Sequence, residues 1–414
     1  MTGTVHIVGA GLAGLAAAVS CAASGRRVTL YEAGPAAGGR CRSYFDRGLG
    51  LRIDNGNHLV LSGNRAVAAY LAQIGAQGAL TGPDAPLFPF ADLADGARWV
   101  VAPNLGRVPW WVLSRGRRVP GTRARDYLAL LALRRAGAQQ TVHEALGGGG
   151  ALYRRLLEPL AVAALNTPAD TGLARQLAAV VGETLMRGGK ACLPRVPSVG
   201  LSESFVDPAL AWLAAHGAQL HTSRRVAVLR RDETRVTALE TPDGTIAVGA
   251  GDAVVLAVPA WVAADLLPGL IVPDAFSAIL NIHFVVAADP GRAGFVGVVG
   301  GTAEWIFVRE RVVSVTVSAA NRLVDRPAEE IAELVWRDVR AALGLPEPMP
   351  PVRVVKERRA THEATATQEA RRPGARTAWT NLVLAGDWTA TGLPATIEGA
   401  IRSGRTAAAL LLSS

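Results

Sequence analysis

The pattern of apolar and polar positions changes period within the first forty residues. Residues 5–8 (VHIV) form a short β-branched run of the kind that makes a strand covered on both faces. Gly9-x-Gly11-x-x-Gly14 follows at once and opens an alanine-rich helical segment. A second β-branched run over 27–31 ends in Glu32. A strand, a tight turn, a helix N-terminus and a second strand predict a parallel α/β sheet that binds a dinucleotide. The first two glycines let the turn form and the backbone approach a pyrophosphate, and the third lets helix and strand pack closely. The helix dipole faces the phosphates, and an acid about twenty residues on accepts ribose hydroxyls. The candidate contacts here are Gly9, Gly11, Ala13, Gly14 and Glu32.

Further along, the periodicity predicts a helix over 64–75 capped by Asn64, and helices over 152–165 and 171–186 after a four-glycine hinge at 147–150. The apolar faces of those two helices suit either a core or the wall of a hydrocarbon tunnel. From Leu201 the texture of the first forty residues returns. A helix is expected over 203–216, a strand over 219–222, a meander over 225–231 and 235–240 closed by Pro242-Asp243-Gly244, and a buried strand over 253–257. Strands over 278–286, 305–308 and 312–317 and a charged helix over 327–343 make a second sheet. A last buried strand, 381–385, runs into Gly386-Asp387 and a terminal helix from Thr396 that carries Ser403, Gly404 and Ala407.

Length and charge narrow this picture. A chain of 414 residues, half of them hydrophobic, suits two joined domains. The net charge of +9 is almost wholly arginine, Lys190 and Lys356 being the only lysines. Those arginines are spread along the chain without a binding motif, so nucleic acid is not an expected partner, whereas an anionic membrane surface is. Trp110 and Trp111, with Arg115, Arg117, Arg118, Arg123 and Arg125 close behind, read either as an interfacial anchor or as a buried segment with a basic end. Cys21, Cys41 and Cys192 form no C-x-x-C pair, which points to a reducing compartment without structural disulfides, and no metal site is expected. The apolar stretch 5–24 imitates a membrane span in length, but the glycine fingerprint inside it assigns it to the nucleotide fold. The expected location is cytoplasmic, peripheral on the inner face of a membrane.

Gly38-Gly39-Arg40 resembles the GGR signature of the flavin-dependent amine oxidase and phytoene desaturase superfamily, which implies FAD wrapped at its pyrophosphate by this loop. Gly34 and Ala36 stand where many members place arginines, so more weight falls on Arg40. The resemblance also implies that Gly56 and Asn57 lie beside the isoalloxazine and that a backbone group near Val226 meets the adenine. Asp387 next to Gly386 would take a ribityl hydroxyl, and Thr396 and Ile397 would face the flavin O2 side. It implies a discontinuous Rossmann-like FAD-binding domain (1–80, 195–265 and 375–414) and an α+β substrate domain (81–194 and 266–374).

The strings LVLAGDWTATGLPATIEGAIRSGR, DNGNHLVLSG and LNTP narrow the resemblance to the squalene-associated FAD-dependent desaturases, understood as hydroxysqualene dehydroxylases of hopanoid synthesis. That family implies a long-chain isoprenoid substrate and reductive loss of an allylic hydroxyl, with hydride from reduced flavin and an acid to assist its departure. His58 and Asp54 are the candidate acids, and Glu398 a weaker one. A phytoene-type oxidative desaturase and a flavin-bound lipid-binding protein without turnover remain alternatives. An amine oxidase is disfavoured because the second sheet has no lysine before Lys356 and Thr396 takes the aromatic-cage position. One dinucleotide fingerprint leaves the electron donor unidentified.

Overall fold

A computed structural model describes residues 3–289 and 291–413, so Met1, Thr2 and Ser414, at the outer ends of the expected segments 1–80 and 375–414, lie outside the described residues. The strand Thr4–Val8 is the centre of a five-stranded parallel sheet in the order Gln219–His221, Arg27–Tyr31, Thr4–Val8, Ala253–Leu256, Leu382–Leu384. Its apolar residues Val5, Ile7 and Val8 are buried because both faces are covered. The helices Leu12–Ala23, Arg65–Gln73, Asp207–Ala215 and Ile397–Leu412 pack on one face. The meander Val228–Arg231, Val236–Thr241, Gly244–Ala247 and the helix Ala260–Leu266 pack on the other. Every strand of a parallel sheet ends on the same edge, so the turns after Val8, Tyr31 and Leu256 and the Gly386-Asp387 corner share one crevice. The terminal helix lies so close to the first that a Cβ on Gly404 would stand 2.1 Å from the Ala13 carbonyl oxygen.

The second sheet has seven strands, in the order Val352–His362, Phe276–Val285, Val312–Val317, Trp305–Arg309, Phe295–Val299, Phe88–Asp92, Arg98–Val101. One face buries Ile282, Ile306, Val315 and their neighbours against the amphipathic helix Ala328–Leu343. The other carries an aromatic cluster in which Phe90 stacks on Trp99 and meets Trp305 edge-on, each at 5.5 Å. That cluster packs on the helical stretch between Trp111 and Val181.

The helices expected over 152–165 and 203–216 each contain a π-helical turn, Tyr153–Leu157 and Ser202–Val206. Each turn is followed by a proline, Pro159 or Pro208, which has no N–H to give and crowds the carbonyl four residues back. The long strand Val352–His362 escaped the periodicity reading because it is a sheet edge studded with Arg353, Lys356, Arg358 and Arg359. Asn64 does not cap its helix; its Oδ1 accepts from Leu61 N at 2.8 Å. The two adjacent tryptophans part company: Trp111 is 4% exposed against Tyr127, and Trp110 is 66% exposed. Among the described residues no helix is long and apolar enough to cross a membrane.

Candidate functional site

The glycine turn separates packing from ligand space. A Cβ on Gly9 (φ +102°) would stand 2.5 Å from the Ala257 carbonyl oxygen, and one on Gly14 2.0 Å from the Gly9 oxygen. Gly11 is different, since its φ of −71° is open to any residue and, among the described residues, nothing lies within 4 Å of its missing Cβ. The helix Leu12–Ala23 begins beside that open space without a side-chain cap, so first-turn N–H groups such as that of Ala13 and the positive helix end are left for an anion. The GGR loop closes over the turn, Gly38 N donating to Ala10 O at 2.8 Å. Glu32 accepts from Ala10 N and from Gly34 N, both at 2.8 Å, and each oxygen keeps a further lone pair for a ribose hydroxyl. Ser223 N and Arg224 N donate to Gly34 O and Glu32 O, which brings Val226 to the same end of the sheet. This cradle fits the diphosphate end of a dinucleotide.

Arg40 and Asp387 come from opposite ends of the chain and meet in a second part of the crevice. Arg40 Nη2 donates to both Asp387 oxygens at 2.7 Å, and its Nη1 donates to Ala360 O. Burial raises the Asp387 carboxyl, but Arg40, then His362 and Arg372, outweigh it and hold the group below the usual carboxylate range. Protein surrounds Arg40 on most sides, yet 43% of its side chain is open, because it faces a cleft lined also by Pro259, Trp261, Phe276, Arg359 and His362. His362 is buried there, and its Nε2 has no partner among the described residues. At the neighbouring corner Gly386 leaves no room for a side chain, since a Cβ would stand 2.3 Å from the Trp388 indole nitrogen. The sequence reading missed Arg372, whose buried guanidinium holds this corner by donating to the carbonyls of Asp387, Thr389 and Leu393.

The loop 54–58 lies against the second sheet. Asn57 N donates to Asn281 Oδ1 (3.3 Å), Asn57 Nδ2 to Thr316 Oγ1 (3.1 Å), and Asn281 Nδ2 to Asn55 O (3.2 Å). Gly56 is tight against the same side chain, a Cβ there falling 3.1 Å from Asn281 Nδ2. Asn281 pairs in register with Thr316, and His283 with Ser314, so four polar residues form a ladder on one face of otherwise apolar strands. Asn281 and His283 were also missed, although two polar positions spaced i, i+2 inside an apolar strand are the sequence signal for them.

Asp54, Asn57 and His58 line a cleft with Val196, Phe307 and Arg309. Asp54 has three donors: Oδ1 accepts from Ser43 Oγ (2.6 Å) and Leu201 N (2.9 Å), and Arg309 Nη2 lies 2.5 Å from its other oxygen. Burial, with a contribution from Arg40, pushes His58 down to about 4 against the opposing pull of Asp54, so its imidazole is neutral at neutral pH.

Glu398 is directed away from this chemistry. It is 3% exposed, accepts from Ala66 N and Val67 N at 2.9 Å, and so caps the helix Arg65–Gln73 in place of Asn64. Thr396 caps its own helix, its Oγ1 accepting from Gly399 N at 3.0 Å, and Ile397 is the first residue of that helix.

The flavin-containing amine oxidoreductase family matches residues 12–289 and 300–412. Hydroxysqualene dehydroxylase of Zymomonas mobilis is 48% identical over 408 residues, covering 99% of both chains. That of Sinorhizobium fredii is 49% identical over 413 residues, covering 100% of this chain and 99% of its own. Among solved structures, an oxidoreductase from Methanosarcina mazei is similar with a TM-score of 0.73 at 14% identity, covering 97% of this chain and 99% of that one. Cyclohexylamine oxidase from Brevibacterium oxydans gives 0.70 at 15% identity, covering 100% and 99%. At such identities the two structures speak to the fold alone.

Proposed function

The chain belongs to the hydroxysqualene dehydroxylases within the flavin-containing amine oxidoreductase family, and on that premise we propose that it is an FAD-dependent enzyme that reduces hydroxysqualene to squalene. The observation that carries the reading is the make-up of the cleft, whose lining combines the apolar Val196, Pro197, Gly294 and Phe307 with the polar Asp54, Asn57, His58 and Arg309. Such a surface suits a hydrocarbon with one hydroxyl. Where the loop 54–58 meets the second sheet, the residue on the sheet is Asn281 and not a lysine.

FAD, when bound and reduced, supplies the hydride. Gly9, Gly11, Ala13, Gly14, Gly39 and Arg40 would hold its diphosphate, Glu32 and Val226 its adenosine, and Gly56, Asn57, Gly386, Asp387, Thr396 and Ile397 its flavin end. In the reaction the C–O bond breaks, the oxygen leaves as water after taking a proton, and the carbon takes the hydride. We assign that proton to His58, which lines the cleft. Its conjugate acid is a strong donor populated only as pH falls toward about 4, so turnover through it rises with acidity. Asp54 fixes Arg309 at the cleft by an ion pair, and Arg309 orients the substrate hydroxyl by donating an N–H to its oxygen. The two sheets with separate cores support division of the chain into an FAD-binding part and a substrate part.

Delivery of so apolar a substrate also supports peripheral attachment to an anionic membrane. Leu105, Val108, Trp110, Leu113, Leu128 and Leu131 are exposed within a stretch, 105–135, that holds eight arginines and one acid. The test of the main reading is anaerobic: photoreduced enzyme is mixed with hydroxysqualene, and flavin reoxidation is followed together with squalene. Reduced enzyme that stays reduced, while oxidised enzyme dehydrogenates a polyene, would assign the chain to desaturation instead.

A further inference from the structure

We infer that Arg359 supplies a second cation for the diphosphate of the bound dinucleotide, in place of the arginines absent at Gly34 and Ala36; this rests on the FAD reading above. Arg40 alone does not bring free charge to its cleft. Its Nη2 is bidentate on Asp387 and its Nη1 is given to Ala360 O, so the two opposite charges largely cancel. Arg359 enters the same cleft from the edge strand Val352–His362, one residue before the carbonyl that Arg40 holds. Its guanidinium carbon lies 4.8 Å from the Trp261 ring centroid and 5.8 Å from that of Phe276, and the two rings meet edge-on at 5.1 Å.

Ring faces steady a guanidinium without consuming its N–H groups, so the five donors of Arg359 stay available at the rim of the cleft. The remaining ionisable group there, His362, is pushed down to about 4, mainly by burial and then by Arg372, and is neutral. Arg359 is therefore the cation of the cleft that has no carboxylate partner among the described residues, while Asp387, with Glu357 behind it, answers Arg40. The cleft also holds the orphaned Nε2 of His362, a buried polar atom whose partner would come from a ligand. A diphosphate answers both features, and a planar fork of donors is matched to its oxygens.

The test is FAD titration of the full-length apoprotein by flavin fluorescence at several salt concentrations. For Arg359→Gln the expected result is a dissociation constant raised about 10- to 100-fold with a shallower salt dependence, partly restored in Arg359→Lys. Unchanged thermal unfolding of the apoprotein would show that the loss is not one of folding, as the exposed side chain leads one to expect. Arg359→Gln that binds FAD within twofold of wild type, with the same salt dependence, overturns the assignment. Wild-type apoprotein that binds no FAD at all would instead overturn the cofactor reading, and the two failures are distinct.

Discussion

Arg40 and Asp387 stand 347 positions apart in the chain, yet one nitrogen of the arginine contacts both oxygens of the aspartate at 2.7 Å. The pair joins the GGR loop to the corner that opens the terminal helix, so the two ends of the chain build one wall of the crevice. Removing Arg40 strands a carboxylate that is 9% exposed. Arg40→Gln should cost about 2 kcal/mol, less than a fully buried pair because the arginine side chain is partly open. Asp387→Asn in the same background should return part of the loss, and urea unfolding of the four proteins of the cycle measures the coupling.

Gly11→Val should leave folding almost unchanged and abolish flavin retention. The backbone angle there suits valine, and its side chain would enter the empty space at the helix N-terminus. The check is FAD released on denaturation, set against an unchanged unfolding midpoint.

Glu398→Ala should cost about 1–2 kcal/mol of stability, because two backbone N–H groups of the helix Arg65–Gln73 lose their acceptor. Turnover per flavin-loaded molecule should stay within twofold of wild type. A loss of turnover in enzyme that stays folded and loaded would restore Glu398 as an acid.

Acid should weaken the fold well above the carboxylate range. His58, His283 and His362 are each pushed down to about 4, chiefly by burial, from the ordinary 6.5. Between those values the unfolded chain binds more protons, so the stability these residues contribute is complete above pH 6.5 and is lost as pH falls toward 4. Each histidine contributes at most about 1.4 kcal/mol per pH unit in that window. Urea midpoints should be level near neutrality and fall below pH 6.5, less steeply in His58→Gln. A midpoint that does not move down to about pH 5 would contradict this.

Trp110 and Trp111 should respond oppositely. Trp111→Ala empties a site against Tyr127 and should destabilise by about 3–5 kcal/mol. Trp110→Ala should leave stability intact and weaken sedimentation with anionic vesicles several-fold, an effect that added salt should mask. Vesicle binding equal to wild type in Trp110→Ala would place the anchor elsewhere.

Whatever depends on neighbours along the chain is legible in the order of the residues. The strand, glycine turn and helix over 5–23 are set by β-branched runs and by residues lacking a Cβ, and Glu32 by its distance from the turn; these need no tertiary information. The same holds for the terminal strand and helix and for the apolar alternation at 312–317. Tertiary structure alone decided which surfaces meet. It gave Glu398 to the N-terminus of a helix more than three hundred residues earlier, laid Asn57 on Asn281, sent one of two adjacent tryptophans inward, and brought Arg359 over the cleft of Arg40. The protonation states belong to the same class: a histidine's local sequence leaves it near 6.5, and only the protein packed around His58, His283 and His362 removes the water that would stabilise their charge.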